Sequence, residues 1–294
     1  MSKGLLDPKV DFVFKNIFGS PNHPEILISF LNATLKAKKK IVNVDIKKTD
    51  IEKQYIEDKY SRLDVKATTS NDEIINIEIQ LKNENNMVKR SLYYLSKMYE
   101  EQLNEKEDYS KLVRTVCINI LNFKYLKTDN FHTGYRFKEI ESNEELTDIM
   151  EVHFIEIPKL QDSSDEKDML VAWTEFLKDP ESEKVRGLEL SIEEIRQAKD
   201  ELIRMSNDST QRELYDMRAN SLRDKMSELN AAERKGIEKG REEGREEGRK
   251  EGIEEGRKEE KIEIARNMKL SGLDTNTIAK ITNLSEDEID KLYF

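Results

Sequence analysis

The strictest alternation of apolar and polar positions runs from Arg62 to Lys82, RLDVKATTSNDEIINIEIQLK. Leu63, Val65 and Ala67 fall on one side, with Arg62, Asp64 and Lys66 on the other. Beyond the turn signal Ser70-Asn71-Asp72, the residues Ile75, Ile77, Ile79 and Leu81 oppose Asn76, Glu78, Gln80 and Lys82. A period of two on both sides of a polar turn predicts a β-hairpin. With the turn centred on Asn71, Asp64 stands directly across from Glu78; a slip of two residues would place Asn76 or Gln80 there instead. Opposed residues lie roughly 5 Å apart at Cβ, and like charges there are destabilising. Two carboxylates in that position call for a neutralising partner such as a divalent cation. The plain alternative is the solvated face of an ordinary hairpin.

Helical spacing surrounds this stretch. Asp11–Gly19 (DFVFKNIFG) predicts a short helix with Phe14, Ile17 and Phe18 on one side and Gly19 as its stop. Pro24 suits the first turn of a second helix, striped by Leu27, Phe30, Leu31, Thr34 and Leu35. Ile41–Lys47 alternates as a first strand. Asn86–Leu103 predicts an amphipathic helix facing the core through Val88, Leu92, Leu95 and Tyr99, with Arg90 and Tyr94 one turn apart on another flank. Arg114–Asn122 (RTVCINILN) is nearly all apolar, as a strand buried on both faces is. A loop-rich region then leads to a strand at Val152–Ile157, ended by Pro158. This order predicts an α/β core with a mixed sheet. From about Asp165 the pattern is helical, with a Leu170, Trp173 and Leu177 stripe and further helices over Ser191–Met205 and Gln211–Leu229.

Charge adds a regional contrast. The chain of 294 residues is 38% charged with a net charge of −11. Residues 1–100 nevertheless carry 17 basic against 14 acidic side chains, net +3, while the remainder is net −14. Lys36, Lys38, Lys39 and Lys40, then Lys47 and Lys48, concentrate positive charge just before the hairpin, a patch able to meet phosphates or simply a solvated helix end. One cysteine and three histidines cannot build a His/Cys zinc centre of the usual kind, so a catalytic metal would sit on carboxylates and carbonyls, suiting Mg²⁺ or Mn²⁺. The single Cys117 permits no internal disulfide and suits a reducing cytoplasm. The N-terminal stretch lacks the apolar run of a signal peptide, and no run of about 18 apolar residues predicts a membrane span.

Six motifs in order carry a resemblance: DFVFKNIFG, ILISFLNATL, R-x-D at Arg62–Asp64, E-x-Q at Glu78–Gln80, R-x-x-Y-Y across Arg90–Tyr94, and the strand INILNF. Together they resemble the recombination-promoting nuclease (Rpn) family, transposase-like members of the PD-(D/E)XK superfamily, over most of residues 5–165. The resemblance implies a restriction-endonuclease-like α/β core with a central mixed sheet flanked by helices, followed by an all-α extension. It implies a metal-dependent DNA endonuclease in which Asp64, Glu78 and the main-chain carbonyl of Ile79 hold Mg²⁺ or Mn²⁺. Gln80 stands where lysine is usual and can orient the attacking water without supplying charge. Lys82 or Lys66 could replace that charge. Asp11 matches an acidic position of the first motif and either reaches the site or caps its helix. Arg62, Lys66, Arg90, Tyr94, Lys38, Lys39 and Lys40 are expected to support the site or contact DNA. The other reading of the same scaffold is a catalytically silent DNA-binding or oligomerising protein, which the missing lysine favours and the retained carboxylate pair opposes.

The expected organisation is a nuclease core (1–165), a helical extension (166–232), a charged linker (233–263) and a small helical module (264–294). In the linker Gly236, Gly240, Gly244, Gly248, Gly252 and Gly256 recur every four residues. Each glycine costs about 1 kcal/mol against alanine, while the i,i+3 Glu–Arg pairs return a few tenths each. The stretch is therefore expected to be helical only when paired with a second copy, giving a dimer through the C-terminal helices. Gly272, Thr275–Ile281 and the capping box at Ser285-Glu286-Asp287-Glu288 resemble a helix-turn-helix. Its last helix is short and acidic, which suits protein contact or capping of the linker better than DNA reading.

Overall fold

The computed structural model describes residues 4–37, 39–47, 65–165 and 167–292. It divides into two units, residues 1–223 and 224–294. In the first, six strands form one sheet among the described residues, in the order β1-β2-β3-β4-β6-β5. They are β1 (Val44–Lys47), β2 (Val65–Thr69), β3 (Ile74–Gln80), β4 (Thr115–Leu121), β5 (His132–Lys138) and β6 (Glu145–Glu156). β1, β2 and β3 pair antiparallel, β3, β4 and β6 run parallel, and β5 returns antiparallel on β6. All seven residues of β4 are buried, as its central place between parallel neighbours requires.

The two faces of the sheet differ in chemistry. Ile75, Ile77 and Ile79 of β3, with Val116, Ile118 and Ile120 of β4, join a core containing α1 (Asp11–Phe18), α2 (Pro24–Leu35), α4 (Met169–Lys178), α5 (Glu183–Glu189) and α6 (Glu193–Asn207). Trp173 is fully buried there, edge-on to Phe18 at 5.3 Å, with its Nε1 donating to Ser29 Oγ at 3.2 Å. The opposite face carries α3 (Met87–Glu100), whose Met87 and Leu95 pack with Cys117, Leu121, Val152 and Phe154. The expected α/β core with a mixed sheet flanked by helices is the architecture observed.

Three expectations are corrected. The strand expected at Val152–Ile157 begins already at Glu145 and pairs with an unforeseen strand, β5. That strand is an edge with five of its seven residues exposed, Tyr135 and Phe137 among them, so its short alternation marks no buried face. The first strand starts at Val44 and not Ile41, since Ile41 is instead held by both amide groups of the Asn32 side chain, its N–H and C=O each at 2.9 Å. The buried stripe of α3 is also rotated. Val88 and Leu92 are 41% and 49% exposed, and the buried residues are Met87, Ser91, Tyr94, Leu95 and Met98. α3 turns this way because the sheet beneath it presents polar side chains.

A charge network holds the β5 edge. Glu151 of β6 accepts from Arg114 and, at 3.1 Å, from Arg136 Nε. His153 Nε2 lies 2.8 Å from Glu151 Oε1, and His132 Nε2 lies 2.9 Å from His153 Nδ1, a row of two imidazoles leading to the carboxylate. Burial raises the Glu151 carboxyl, but hydrogen bonds from His153 and Arg114 outweigh it and hold the group at about 2. Burial, helped by the charge of His153, pushes His132 down to about 4. Both groups therefore bind protons more readily in the unfolded chain, so both lose stability toward acid. His132 acts between its ordinary 6.5 and about 4, and Glu151 between 4.5 and about 2. Calorimetric melting followed from neutral pH downward should show a progressive fall, and His132→Gln should flatten only its upper part. A decline unchanged by that substitution would refute the assignment.

The second unit contains the C-terminal part of α7 (Ser209–Leu270), then α8 (Thr275–Thr282) and α9 (Glu286–Asp290). The glycine repeat is helical and exposed, and a Cβ built on any of its six glycines meets nothing within 4 Å. Gly272 adopts φ +82°, which lets the chain leave α7 without strain. Asp274 caps α8, and Ser285 and Glu288 form the expected capping box on α9. Ala265, Ile278, Leu284 and Ile289 make the small core of this module.

Candidate functional site

The polar face of β3 is not solvated. Asn76 and Glu78 are both 0% exposed, lying under α3 beside Asn119 and Cys117 of β4. Arg90, in the first turn of α3, donates from Nε to Glu78 Oε2 at 3.2 Å, and its guanidinium lies over the Tyr94 ring at 5.4 Å. Ser91 Oγ lies 3.0 Å from Asn119 Oδ1, and Asn119 Nδ2 donates to the His153 carbonyl at 3.1 Å. Two buried oxygens in this layer have no hydrogen-bond partner, Glu78 Oε1 and Asn76 Oδ1. Native folds rarely leave such atoms unmatched, so each needs a reason.

The electrostatics have the same origin. Burial pushes the Glu78 carboxyl above its ordinary range; the charge and hydrogen bond of Arg90 oppose this, followed by Asn76 and then the charge of Lys15. Arg90 itself is held charged more firmly than usual, burial notwithstanding, because Glu78 and Tyr94 outweigh the loss of water. The asymmetry follows from exposure: the arginine side chain is 23% exposed and the carboxylate 0%. Cys117, fully buried and beside Glu78, has its thiol pushed up to about 12, so it is no nucleophile.

The other sequence-predicted residues divide between this place and elsewhere. Val65 pairs with Ile77, the register that a turn centred on Asn71 requires. Arg62, Asp64 and Lys38 lie outside the described residues. Gln80 and Lys82, at the end of β3 and just beyond, are half-buried. Ile74 N donates to Arg114 and Gln80 O accepts from Asn122, so even-numbered residues of β3 turn their peptides to β4, and Ile79 turns its carbonyl toward β2. Lys66 pairs in register with Asn76, and its ammonium is 3.9 Å from Glu101 at the far end of α3. Asp11 is the first residue of α1 and not its cap, and it accepts from Arg218 Nη1 at 2.8 Å. Lys39 and Lys40 are exposed at the turn end of the hairpin, where Asn71 reaches the Lys39 carbonyl. About 13 Å of strand separates Ile74, at that end, from Glu78.

Sequence reasoning named Asn76 only as an alternative partner of Asp64, and it passed over Ser91 and Asn119. A signal existed for Asn119: it is a polar residue amid apolar neighbours, and a buried polar residue implies a partner.

A sequence profile for the PD-(D/E)XK nuclease family transposases matches residues 8–232. The chain belongs to that family. A second profile, the C-terminal helix-turn-helix domain of Rpn/YhgA-like nucleases, matches residues 258–293. Searches of curated proteins and of solved structures return no significant match. The Rpn resemblance drawn from the six motifs is thus the family found. β3 carries Glu78, Ile79 and Gln80, the E-x-Q expected from the sequence to be the motif, and divalent metals are the typical cofactors of PD-(D/E)XK nucleases. Among the described residues no three His, Cys, Asp or Glu side chains converge as a metal cage, and no helix is long and apolar enough to cross a membrane.

Proposed function

We propose that the protein is a metal-dependent DNA endonuclease that hydrolyses phosphodiester bonds in recombination or the movement of mobile elements. The observation that carries this reading is Glu78: a fully buried carboxylate on the motif strand, with one oxygen unmatched. A scaffold without chemistry to perform would gain stability by losing it.

The donor set fits a hard divalent cation, Mg²⁺ or Mn²⁺, which takes oxygen ligands from carboxylates and carbonyls. Glu78 Oε1 would serve together with Asp64 and the Ile79 carbonyl. In support, Val65 and Ile77, the chain neighbours of Asp64 and Glu78, are register partners, and Ile79 turns its carbonyl to the β2 side. When bound, such a cation lowers the pKa of a coordinated water and offsets charge on the phosphate. The chain's own groups do the rest. Arg90, held over Tyr94, fixes the Glu78 carboxylate by its Oε2 and leaves Oε1 directed elsewhere. Gln80, two residues along the same face, can orient a water by hydrogen bonding.

DNA is the proposed substrate and partner, with Arg62, Lys66, Lys38, Lys39 and Lys40 along its backbone. The helix-turn-helix match of residues 258–293 supports contact with DNA. Self-association through the C-terminal helices would bring two sites to two strands, and a cytoplasmic location suits such a substrate. The second reading, a silent DNA-binding scaffold, draws its support from Gln80 in the lysine position.

Supercoiled plasmid separates the two. Nicking or linearisation is expected with Mg²⁺ or Mn²⁺, not with EDTA, and not by Asp64→Ala. A folded wild type that shifts DNA in a gel but cuts with no divalent metal would establish the scaffold.

A further inference from the structure

The sheet ends on β5, and among the described residues no further strand pairs with it. We infer that the free edge of β5 pairs antiparallel with the β5 edge of a second copy, joining the two sheets into one. This contact is separate from the C-terminal helices and needs no chemistry at the Glu78 site.

Three features of the edge fit a second copy. The first is an open ladder. Glu156 N donates to Phe131 O, and Thr133 and Tyr135 are register partners of Phe154 and Val152, so odd-numbered residues turn their peptides inward to β6. Those of His132, Gly134 and Arg136 turn outward, a template for another strand. Charged side chains commonly guard such an edge, but Arg136 is taken up by Glu145 and Glu151, each at 3.1 Å. The second is apolar surface. Tyr135 and Phe137 are 48% and 51% exposed, and Ile140 and Leu146 near the hairpin tip 93% and 79%. The third is charge complementarity. Before β5, exposed Lys124 and Lys127 outweigh Asp129; beyond it, residues 139–145 carry four glutamates and no basic side chain. In an antiparallel pair the glutamate tip of each copy passes beside the lysines of the other, whereas a parallel pair would set like charge against like.

The side chains select the register. A two-fold axis at Arg136 would oppose two guanidinium groups, which is destabilising. An axis at Tyr135 sets that ring against the partner's Tyr135, and Arg136 against the partner's Gly134, where the absent side chain leaves the guanidinium its carboxylates. Glycine is required at 134 within the chain itself, since a Cβ there would lie 3.0 Å from the His153 ring. The two-fold of an antiparallel pair is perpendicular to the sheet, so both copies present α3 on the same side. Glu78, Asn119, Phe154 and Thr133 form one row across the sheet. Two such rows, meeting at the axis, place the Glu78 of each copy roughly 35 Å from the other.

The test uses the full chain. Tyr135→Cys and Ile140→Cys each add one exposed thiol, while the native Cys117 is fully buried. Across the axis, Cβ atoms at position 135 lie about 4.5–5.5 Å apart, close enough for a disulfide after a small adjustment, whereas those at position 140 are separated by roughly 30 Å. Under mild oxidation Tyr135→Cys should link most of the protein into dimers, and Ile140→Cys, at the more exposed site, should link far more slowly. In sedimentation, Tyr135→Glu and Tyr135→Lys should each weaken association on the order of tenfold or more at unchanged melting, since like charges then meet at the axis, and a 1:1 mixture of the two should restore it. This holds whether or not the C-terminal helices also associate. Equal linking at both positions, or a sedimenting mass that neither charged variant changes, overturns the inference. A chain that stays monomeric at every concentration leaves the edge to a different partner and overturns it as well.

Discussion

Glu78→Gln should abolish metal-dependent cleavage and, in the same protein, raise the melting temperature of the metal-free state. The loss of activity follows from the proposed role: a neutral amide cannot hold the cation as a carboxylate does, and several kcal/mol of metal assistance corresponds to a rate loss on the order of 10³ or more. The gain in stability follows from burial. The folded carboxyl sits above its ordinary 4.5, pushed there by burial against the opposition of Arg90. Stability from such a group is fully present below the unfolded value and is lost as pH rises through the folded one. At neutral pH the wild type bears this loss and the glutamine variant does not. Arg90, 23% exposed, keeps enough hydration to tolerate a neutral partner. A rise of roughly 2–4 °C would reflect about 1 kcal/mol in a unit of this size. The difference should vanish at acid pH, and Mn²⁺ should raise the melting temperature of the wild type only. Residual cutting by the variant, or a lower melting point at pH 8, would contradict the argument.

The same residue marks where the sequence was legible and where it was not. Alternation between Arg62 and Lys82 suffices for the hairpin because one face is aliphatic, and a one-residue slip would have turned Ile75, Ile77 and Ile79 to the wrong side. The apolar run of β4 and the Phe14, Ile17 and Phe18 stripe are legible for the same reason. Hydrophobic periodicity says nothing, however, about a polar face that is also buried. Asn76 and Glu78 look like solvent-facing positions until α3 covers them. The α3 stripe was misjudged for that reason, since Ser91 faces the sheet to meet Asn119 while Val88 and Leu92 stay exposed. β5 was invisible because its exposed residues leave only backbone pairing to β6 to define it. At the site, Glu78 could be named from its motif, but the contact with Arg90 crosses from strand to helix, and spacing along the chain does not encode it.

Arg90→Met is the complementary experiment, and its expected effect on stability is the largest at the site. Removing the arginine leaves Glu78 Oε2 without its donor at 3.2 Å and places an uncompensated carboxylate in a layer with 0% exposure. Breaking one side of a buried pair in this way costs about 3–5 kcal/mol, because the remaining charge has no water and keeps only the smaller help of Asn76 and Lys15. Methionine keeps an unbranched stem and gives up the guanidinium, whose contact over Tyr94 is worth about 0.5–1 kcal/mol, so the loss is chiefly that of the charge beside Glu78. The cost should therefore depend on pH. Measured by urea denaturation it should be near its full value at pH 8 and shrink as acid protonates Glu78, since a neutral carboxyl needs no counter-charge. It should also depend on the partner. In Glu78→Gln/Arg90→Met there is no buried charge left to strand, and most of the stability should return, with a coupling energy far above the few tenths of a kcal/mol seen between independent sites. A cost that is the same at pH 5 and pH 8, and that the second substitution does not relieve, would mean that Arg90 acts by packing over Tyr94 and not by holding the Glu78 carboxylate.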